Sequence, residues 1–418
     1  MNRKVIIPLV LSLLLLIIII TARCLADNAP KPLPPPPTAT PAPTMVPPVK
    51  GNGWGCPVFT NAKIKAILEQ PWEKSPGEIY PAVFLDTKNA NLSSSSYSDE
   101  VKYSLEGVDF VCPGDQYFME LIKRRSDVQS GKYKLNGEKT IFITRLYLHS
   151  WWRFHPGFSS AKIVEELREK SGDDTLVFYQ VPPDKAELLL KSQFQRKTWK
   201  QIGINFDTDA FSNTLIDLNG TEYGSSTGLV QILWMANCFA NGCGNRPLTI
   251  DQVASVIPYL KEYVISQGQQ GSSSLGTFQD FQTAGEGNIG FIAFNSALAT
   301  TMANRGESAE TTACVSSPWD LNKNCPAKSR MFGAVLGGSP EAQHKFAYLT
   351  PVGKILSARL EDPRIQKISK EDLGLPTPGV NIRNPISWDV GTTPAGAKPD
   401  FETTKELLRQ LNEALGKK

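Results

Sequence analysis

The N-terminal region constrains this chain most, because it opens with an apolar segment and continues into a proline-rich stretch that cannot bury a core. Asn2-Arg3-Lys4 puts positive charge ahead of an apolar run from Val5 to Ala22, interrupted only by Pro8 and Ser12. A run of that length lies at the lower limit for a bilayer-spanning helix and exceeds most signal-peptide cores. The charges before it favour an N-terminus left inside, with the rest of the chain carried across. Three fates stay open: cleavage near Cys24-Leu25-Ala26, retention as a single-span anchor, and lipidation at Cys24, where Arg23 is a poor neighbour. Ala29 to Val49 then reads APKPLPPPPTATPAPTMVPPV. So many prolines remove backbone donors, and the stretch stays extended at about 3 Å per residue. Residues 1–26 are therefore expected to be a signal peptide or membrane anchor, residues 27–50 a Pro-rich linker, and the working part extracytoplasmic.

From Gly51 onward the chain is long enough for two lobes and a sizeable core. Its 44 Lys and Arg nearly balance 41 Asp and Glu, with no basic stripe, which argues against a nucleic-acid partner. Beyond Cys24 there are six cysteines, an even number that suits an oxidising compartment. Proximity in sequence favours the pairs Cys56 with Cys112, Cys238 with Cys243, and Cys314 with Cys325. The three histidines, His149, His155 and His344, stand away from any cysteine pair, so no metal site and no cofactor are expected.

Short buried strands are expected at Ala82–Asp86 and Val108–Cys112, and a helix over Asp115–Arg125 with Phe118, Leu121 and Ile122 on one face. A strand at Thr140–Tyr147, a helix from Ser160 to Ser171, a strand at Leu176–Val181 and a helix from Pro183 follow. This alternation predicts an α/β body with mostly parallel sheets. A short strand is expected at Gly203–Phe206. Thr221-Glu-Tyr-Gly-Ser-Ser-Thr-Gly then leads into the helix LVQILWMANCFA. Ser225, Ser226 and Thr227 sit at its start, with Gly224 and Gly228 allowing close backbone approach. A helix start offers unpaired N–H groups and a positive dipole end, so these hydroxyls suit either a polar ligand or plain capping. Thr249 opens another helix running toward Ser266. Ser272, Ser273 and Ser274 lie in a Gly/Ser loop before Thr277–Phe281, and Gly285–Asn295 reads as a turn feeding a strand.

Thr198-Trp-Lys-Gln-Ile, GSSTG at a helix start, the Ser-rich loop and GEGNIGFIAFNSAL together resemble the second lobe of bacterial extracellular solute-binding proteins. These have the type 2 periplasmic-binding-protein fold, also found on surface proteins beside von Willebrand factor A-type domains. Ser339–Leu356 resembles that family's closing helix pair and ETTKELLRQLNEALGKK its last helix. The pattern extends over roughly Thr140 to Lys418. Asn295 stands where the family usually has Glu, and Asn213–Glu222 looks inserted.

The resemblance implies two α/β lobes, residues 51–146 with 296–418 and residues 147–295, joined by a hinge around an interlobe cleft. Crossovers are expected near Tyr147–Trp152 and Phe294–Ala299, with Tyr147, Trp151, Trp152 and Phe154 beside the hinge, as core packing or as a ligand-stacking face. Ser225, Ser226, Thr227, Ser273, Ser274 and Asn295 would line the cleft. The implied partners are a small polar or anionic solute, the membrane through the N-terminal segment, and a membrane transporter or surface protein. The implied location is the bacterial cell surface or periplasm. No GxSxG, HExxH, Walker-type or GxGxxG motif appears, so no catalytic residues and no enzyme activity are expected. A surface interaction module that has lost its solute, and a hydrolase with groups converging from distant positions, are the other readings.

Overall fold

Strand formation in the first sheet begins where the proline run ends. The computed structural model describes residues 46–55, 57–86, 99–100, 103–171, 174–267, 277, 280–281, 283–294, 331–371 and 395–417. Strand β1 (Val49–Gly55) carries three glycines, and its stability comes from neighbours rather than from its own side chains. A Cβ at Gly53 would lie 2.2 Å from the Phe110 ring, so the missing side chain makes room for that aromatic cover. Helix α1 (Ala62–Leu68) starts on Asn61, whose side chain accepts from Lys63 N and Ile64 N. A two-stranded ribbon, β2 (Trp72–Ser75) with β3 (Glu78–Tyr80), leads to β4 (Val83–Asp86). β5 (Phe110–Cys112) is followed by helix α2 (Gln116–Lys123), with Phe118, Met119 and Ile122 turned inward.

β6 (Asn136–Thr144) and β7 (Leu146–Trp151) are separated by a single residue, Arg145, and belong to different sheets. The expected single strand over Thr140–Tyr147 is thus two. Helix α3 (His155–Ser160) ends before Lys162, which holds a left-handed φ of 53°. The segment expected to continue as a helix to Ser171 is instead strand β8 (Glu165–Ser171), which pairs antiparallel with β9 (Asp174–Val181). Its glutamates, Arg168 and Lys170 favour helix, and the cross-strand ladder overrides that preference. Helix α4 (Pro183–Phe194) follows. Gly203–Phe206 is not a strand: Lys200–Ile202 forms a short 3₁₀ turn closed by Gly203 at φ 83°.

The rest of the second lobe comprises β10 (Leu218–Asn219), α5 (Ser226–Asn241), α6 (Val253–Ser266), β11 (Gly290–Phe294) and β12 (Met331–Leu336). Helix α5 is apolar on all sides and buried from Thr227 to Cys238, as a central core helix should be. The chain then returns through β13 (Ala342–Tyr348), α7 (Pro351–Arg359), α8 (Pro363–Glu371) and α9 (Phe401–Ala414). Ser339–Leu356 is therefore a crossover, a strand and the start of one helix, not a helix pair.

The first sheet runs β4-β1-β5-β13-β6 and the second β10-β11-β7-β12-β9-β8. Both are mixed rather than mostly parallel, because β13 lies antiparallel to β5 and β6, and β7 antiparallel to β11 and β12. The chain passes between sheets at Arg145 and again at residues 337–341. The first passage is slightly earlier than expected. The second is well after Phe294–Ala299, because β12 still pairs with β7 from Met331↔Trp151 to Val335↔Tyr147. Val46–Lys418 forms one compact unit. One core cluster joins Phe110, Phe142 and Phe346 to α1, α7 and α8. A larger one is continuous from Trp54, Val111 and Phe118 into Leu146, Leu229 and Trp234, so the lobes share apolar packing at their seam.

Candidate functional site at the seam between the lobes

Two helix starts, one from each lobe, meet at this seam. On the first lobe the turn Pro113-Gly114 links β5 to α2, and Lys345 N donates to Pro113 O at 3.1 Å, fixing the turn to β13. Asp115 caps α2 by accepting from Tyr117 N at 2.8 Å. Its carboxylate has no exposure and is ion-paired with Lys398, itself 13% exposed. On the second lobe Ser225 caps α5, its Oγ accepting from Gly228 N at 3.1 Å and donating to Glu222 O at 2.8 Å.

Gly114 measures how closely the two approach. A Cβ there would lie 2.6 Å from Ser226 Oγ and 3.6 Å from His344 Cε1. Thus Ser226 of the second lobe and His344 of β13 converge on one point of the first lobe. His344 is buried between Phe142 and Phe294, with ring centroids 6.3 Å away in each case. Neither of its ring nitrogens has a hydrogen-bond partner. Burial, reinforced by the charge on Lys398, holds its pKa down at about 4, so the ring is neutral near pH 7. Thr144 Oγ1, at the end of β6, and Ser339 Oγ, in the second crossover, are likewise buried without a hydrogen-bond partner. A buried polar atom left unpaired costs about 1–3 kcal/mol.

Among the expected cleft residues that are described, Ser226 is the one placed at the contact between lobes. Ser225 is spent on capping, and Thr227 is buried beneath the helix start. Gly228 does allow close approach, since a Cβ would sit 2.0 Å from Glu222 O, but that neighbour is the chain itself. Gly224 has open space, with Glu222 Oε1 at 3.9 Å. Ser272, Ser273, Ser274 and Asn295 lie outside the described residues. The aromatic group Tyr147, Trp151 and Phe154 is core: Trp151 stacks on Phe281 at 4.9 Å and donates through Nε1 to Gly285 O and Asn288 O. Trp152 stacks on His155 at 4.5 Å.

Cys238, in the last turn of α5, is disulfide-bonded to Cys243, just past the left-handed cap Gly242. Cys112 is also disulfide-bonded, and its partner lies outside the described residues, as do Cys56, Cys314 and Cys325. No cluster of metal-ligating side chains occurs among the described residues.

Sequence reasoning missed Gly114, Asp115, His344 and Lys398 as site residues. The run Pro-Gly-Asp between a strand and a helix was a usable signal, because open α/β sheets place ligands at the carboxyl ends of their strands.

No protein-family model matches the chain, and no curated protein matches it by sequence. Solved structures do. The periplasmic binding protein AfuA of Actinobacillus pleuropneumoniae, solved with exogenous fructose 6-phosphate, superimposes with a TM-score of 0.50 at 10% identity, over 88% of this chain and 98% of that one. This chain has the two-lobed fold of the periplasmic solute-binding proteins. Iron-bound HitA from Pseudomonas aeruginosa is also similar, with a TM-score of 0.48 at 9% identity over 88% of this chain and 99% of that one. The ferric binding protein of Campylobacter jejuni gives 0.47 at 10% identity, over 88% and 98%. In this periplasmic-binding-protein fold the seam at Gly114 and Ser226 is the region between the lobes. Neither His344 nitrogen is hydrogen-bonded to Ser226.

Proposed function

We propose that this chain is an extracytoplasmic solute-binding protein that takes a small polar or anionic solute between its two lobes, without turnover. Residues 1–26 would tether or export it, the Pro-rich linker would hold the body away from the membrane, and a membrane transporter or surface protein would receive the solute. The observation that carries this reading is the convergence at Gly114 of Ser226 and of the buried, unpartnered imidazole of His344, from opposite lobes of a periplasmic-binding-protein fold. Parting the lobes would expose these groups, and a solute that satisfied them would stabilise the closed population.

The test is a thermal-shift screen of oxidised protein starting at Val46, which keeps β1 whole, against anions, sugars, amino acids and polyamines. A solute that binds only the folded state raises the melting temperature by several degrees at saturating excess, roughly in line with mass action. The expected hit disappears in Ser226→Trp, whose indole does not fit against Gly114 and holds the lobes apart there. A flat screen on well-folded protein sinks solute capture and leaves a surface interaction module as the better reading.

A further inference from the structure

Beyond the two crossovers, a third connection ties the lobes together, and it comes from the segment between Ala395 and Asp400. Gly396 N donates to Ser339 O at 3.0 Å, and the residue bridges Pro340, which lays this segment along the second crossover. The approach is close: a Cβ at Gly396 would lie 1.8 Å from Gly338 O. One residue on, Ala397 O accepts from Asn237 Nδ2 of α5 at 2.7 Å, in the second lobe. Lys398 then reaches the buried carboxylate of Asp115 at the start of α2, in the first lobe. Helix α9, capped by Asp400 through Thr403 N at 2.7 Å, repeats the pattern. Phe401 stacks on Tyr117 and Glu402 pairs with Arg124 at 2.6 Å on the first lobe, while Asn412 Oδ1 accepts from the Tyr223 hydroxyl at 2.7 Å on the second.

We propose that Ala395–Asp400 is an interlobe latch and that Lys398 is its positioning residue, whose pairing with Asp115 sets how far the lobes part. Gly396 and Asn237 hold this segment to the crossover and to α5, so opening the seam pulls Lys398 off Asp115. The separation strands a buried carboxylate until water reaches it, which makes the paired and parted states two alternatives rather than a continuum. Its consequence for solute entry rests on the proposed capture function. The latch itself is read without any solute, so a flat ligand screen leaves it standing.

The experiment is hydrogen exchange followed by mass spectrometry on the full chain in detergent micelles, comparing wild type with Lys398→Met and Lys398→Arg. Methionine keeps the stem of the side chain and removes its charge; arginine restores the charge. Lys398→Met is expected to raise exchange about tenfold or more in Tyr117–Ile122 and in residues 337–341, leaving α6 at the wild-type rate. Lys398→Arg is expected to return exchange most of the way. Unchanged exchange at the seam overturns the latch. So does a uniform rise across both lobes, or a rise that arginine does not reverse, since each marks general loosening rather than a latch. Should Lys398→Met fail to fold, the doubly neutral Asp115→Asn/Lys398→Met protein strands no charge. It must show the same local rise, and wild-type exchange there overturns the proposal.

Discussion

The two helix starts that meet at the seam solve the same problem with different chemistry. α2 is capped by a carboxylate that is fully buried and ion-paired with Lys398. α5 is capped by the neutral hydroxyl of Ser225, and both Ser225 and Ser226 remain partly exposed. The positive end of the α2 dipole is therefore already matched by a buried carboxylate, which Lys398 neutralises, whereas that of α5 meets the hydroxyls of Ser225 and Ser226. An anionic group approaching the seam finds the α2 start already occupied and the α5 start open to it. A donor group finds Asp115 and, with its ring neutral, one acceptor nitrogen of His344. The asymmetry argues that recognition of any anionic part of a solute belongs to the second lobe.

The largest effect in breaking this comparison is expected from Asp115→Ala. It removes a helix cap and leaves Lys398 facing a mostly dry site without its counter-ion. Breaking a buried pair from one side costs about 3–5 kcal/mol, and the slight exposure of Lys398 puts the expectation at the lower end of that range. Urea unfolding with an unchanged slope measures it. A loss under about 1 kcal/mol, the level of a surface pair, would mean that Asp115 and Lys398 are hydrated, and the contrast between the helix starts would vanish.

A smaller and pH-dependent effect belongs to His344, which stands between the two starts. Burial holds its pKa at about 4 in the folded chain, against about 6.5 when unfolded. Between those values the unfolded state binds the proton and the folded state does not. The stabilising difference is therefore complete above about pH 6.5 and is lost progressively as the pH falls toward 4. Its size is at most roughly 3 kcal/mol. His149, buried against Phe291 with its ring nitrogen on Phe294 O, is also held at about 4 by burial and weakens the fold over the same window. As the pH is lowered from 7 to 4, the unfolding free energy should fall less steeply in His344→Phe than in wild type. Parallel curves would show that His344 takes up its proton equally in both states.

The helix starts were legible in the sequence to the degree that their signals were local. Asp115 before QYFMELIK and Ser225 before the mostly apolar STGLVQILWMANCFAN announce their helices, and both caps form. The crossover at Arg145 was not legible, because only Thr144 and Arg145 interrupt the apolar residues from Ile141 to Leu148, and both are buried while the chain changes sheets. β8 was misread because its residues favour helix locally and only its partner strand makes it a ladder. The seam itself was hidden by distance along the chain. Lys398 meets Asp115 across 283 residues, and no periodicity or motif encodes that meeting. Ser226, expected in a cleft, lies at the seam beside two neighbours that the fold uses for capping and packing.

The smallest expected effect sharpens the comparison from the α5 side. Ser225→Ala removes one neutral cap whose oxygen serves Gly228 N, and the expected loss is about 1 kcal/mol. Ser226→Ala, one position along, removes a hydroxyl whose neighbour across the seam is Gly114, and its cost should stay within about 0.5 kcal/mol. The two substitutions delete the same atom one residue apart, so their difference separates a hydroxyl that holds the helix from one available to a solute. Comparison of their melting curves, with and without a solute found in the screen, reads both roles. Ser225→Ala should lower stability and leave the ligand-induced shift in place, and Ser226→Ala should do the reverse. If Ser226→Ala proves as destabilising as Ser225→Ala, then Ser226 is part of the cap, and the start of α5 offers no spare hydroxyl at the seam.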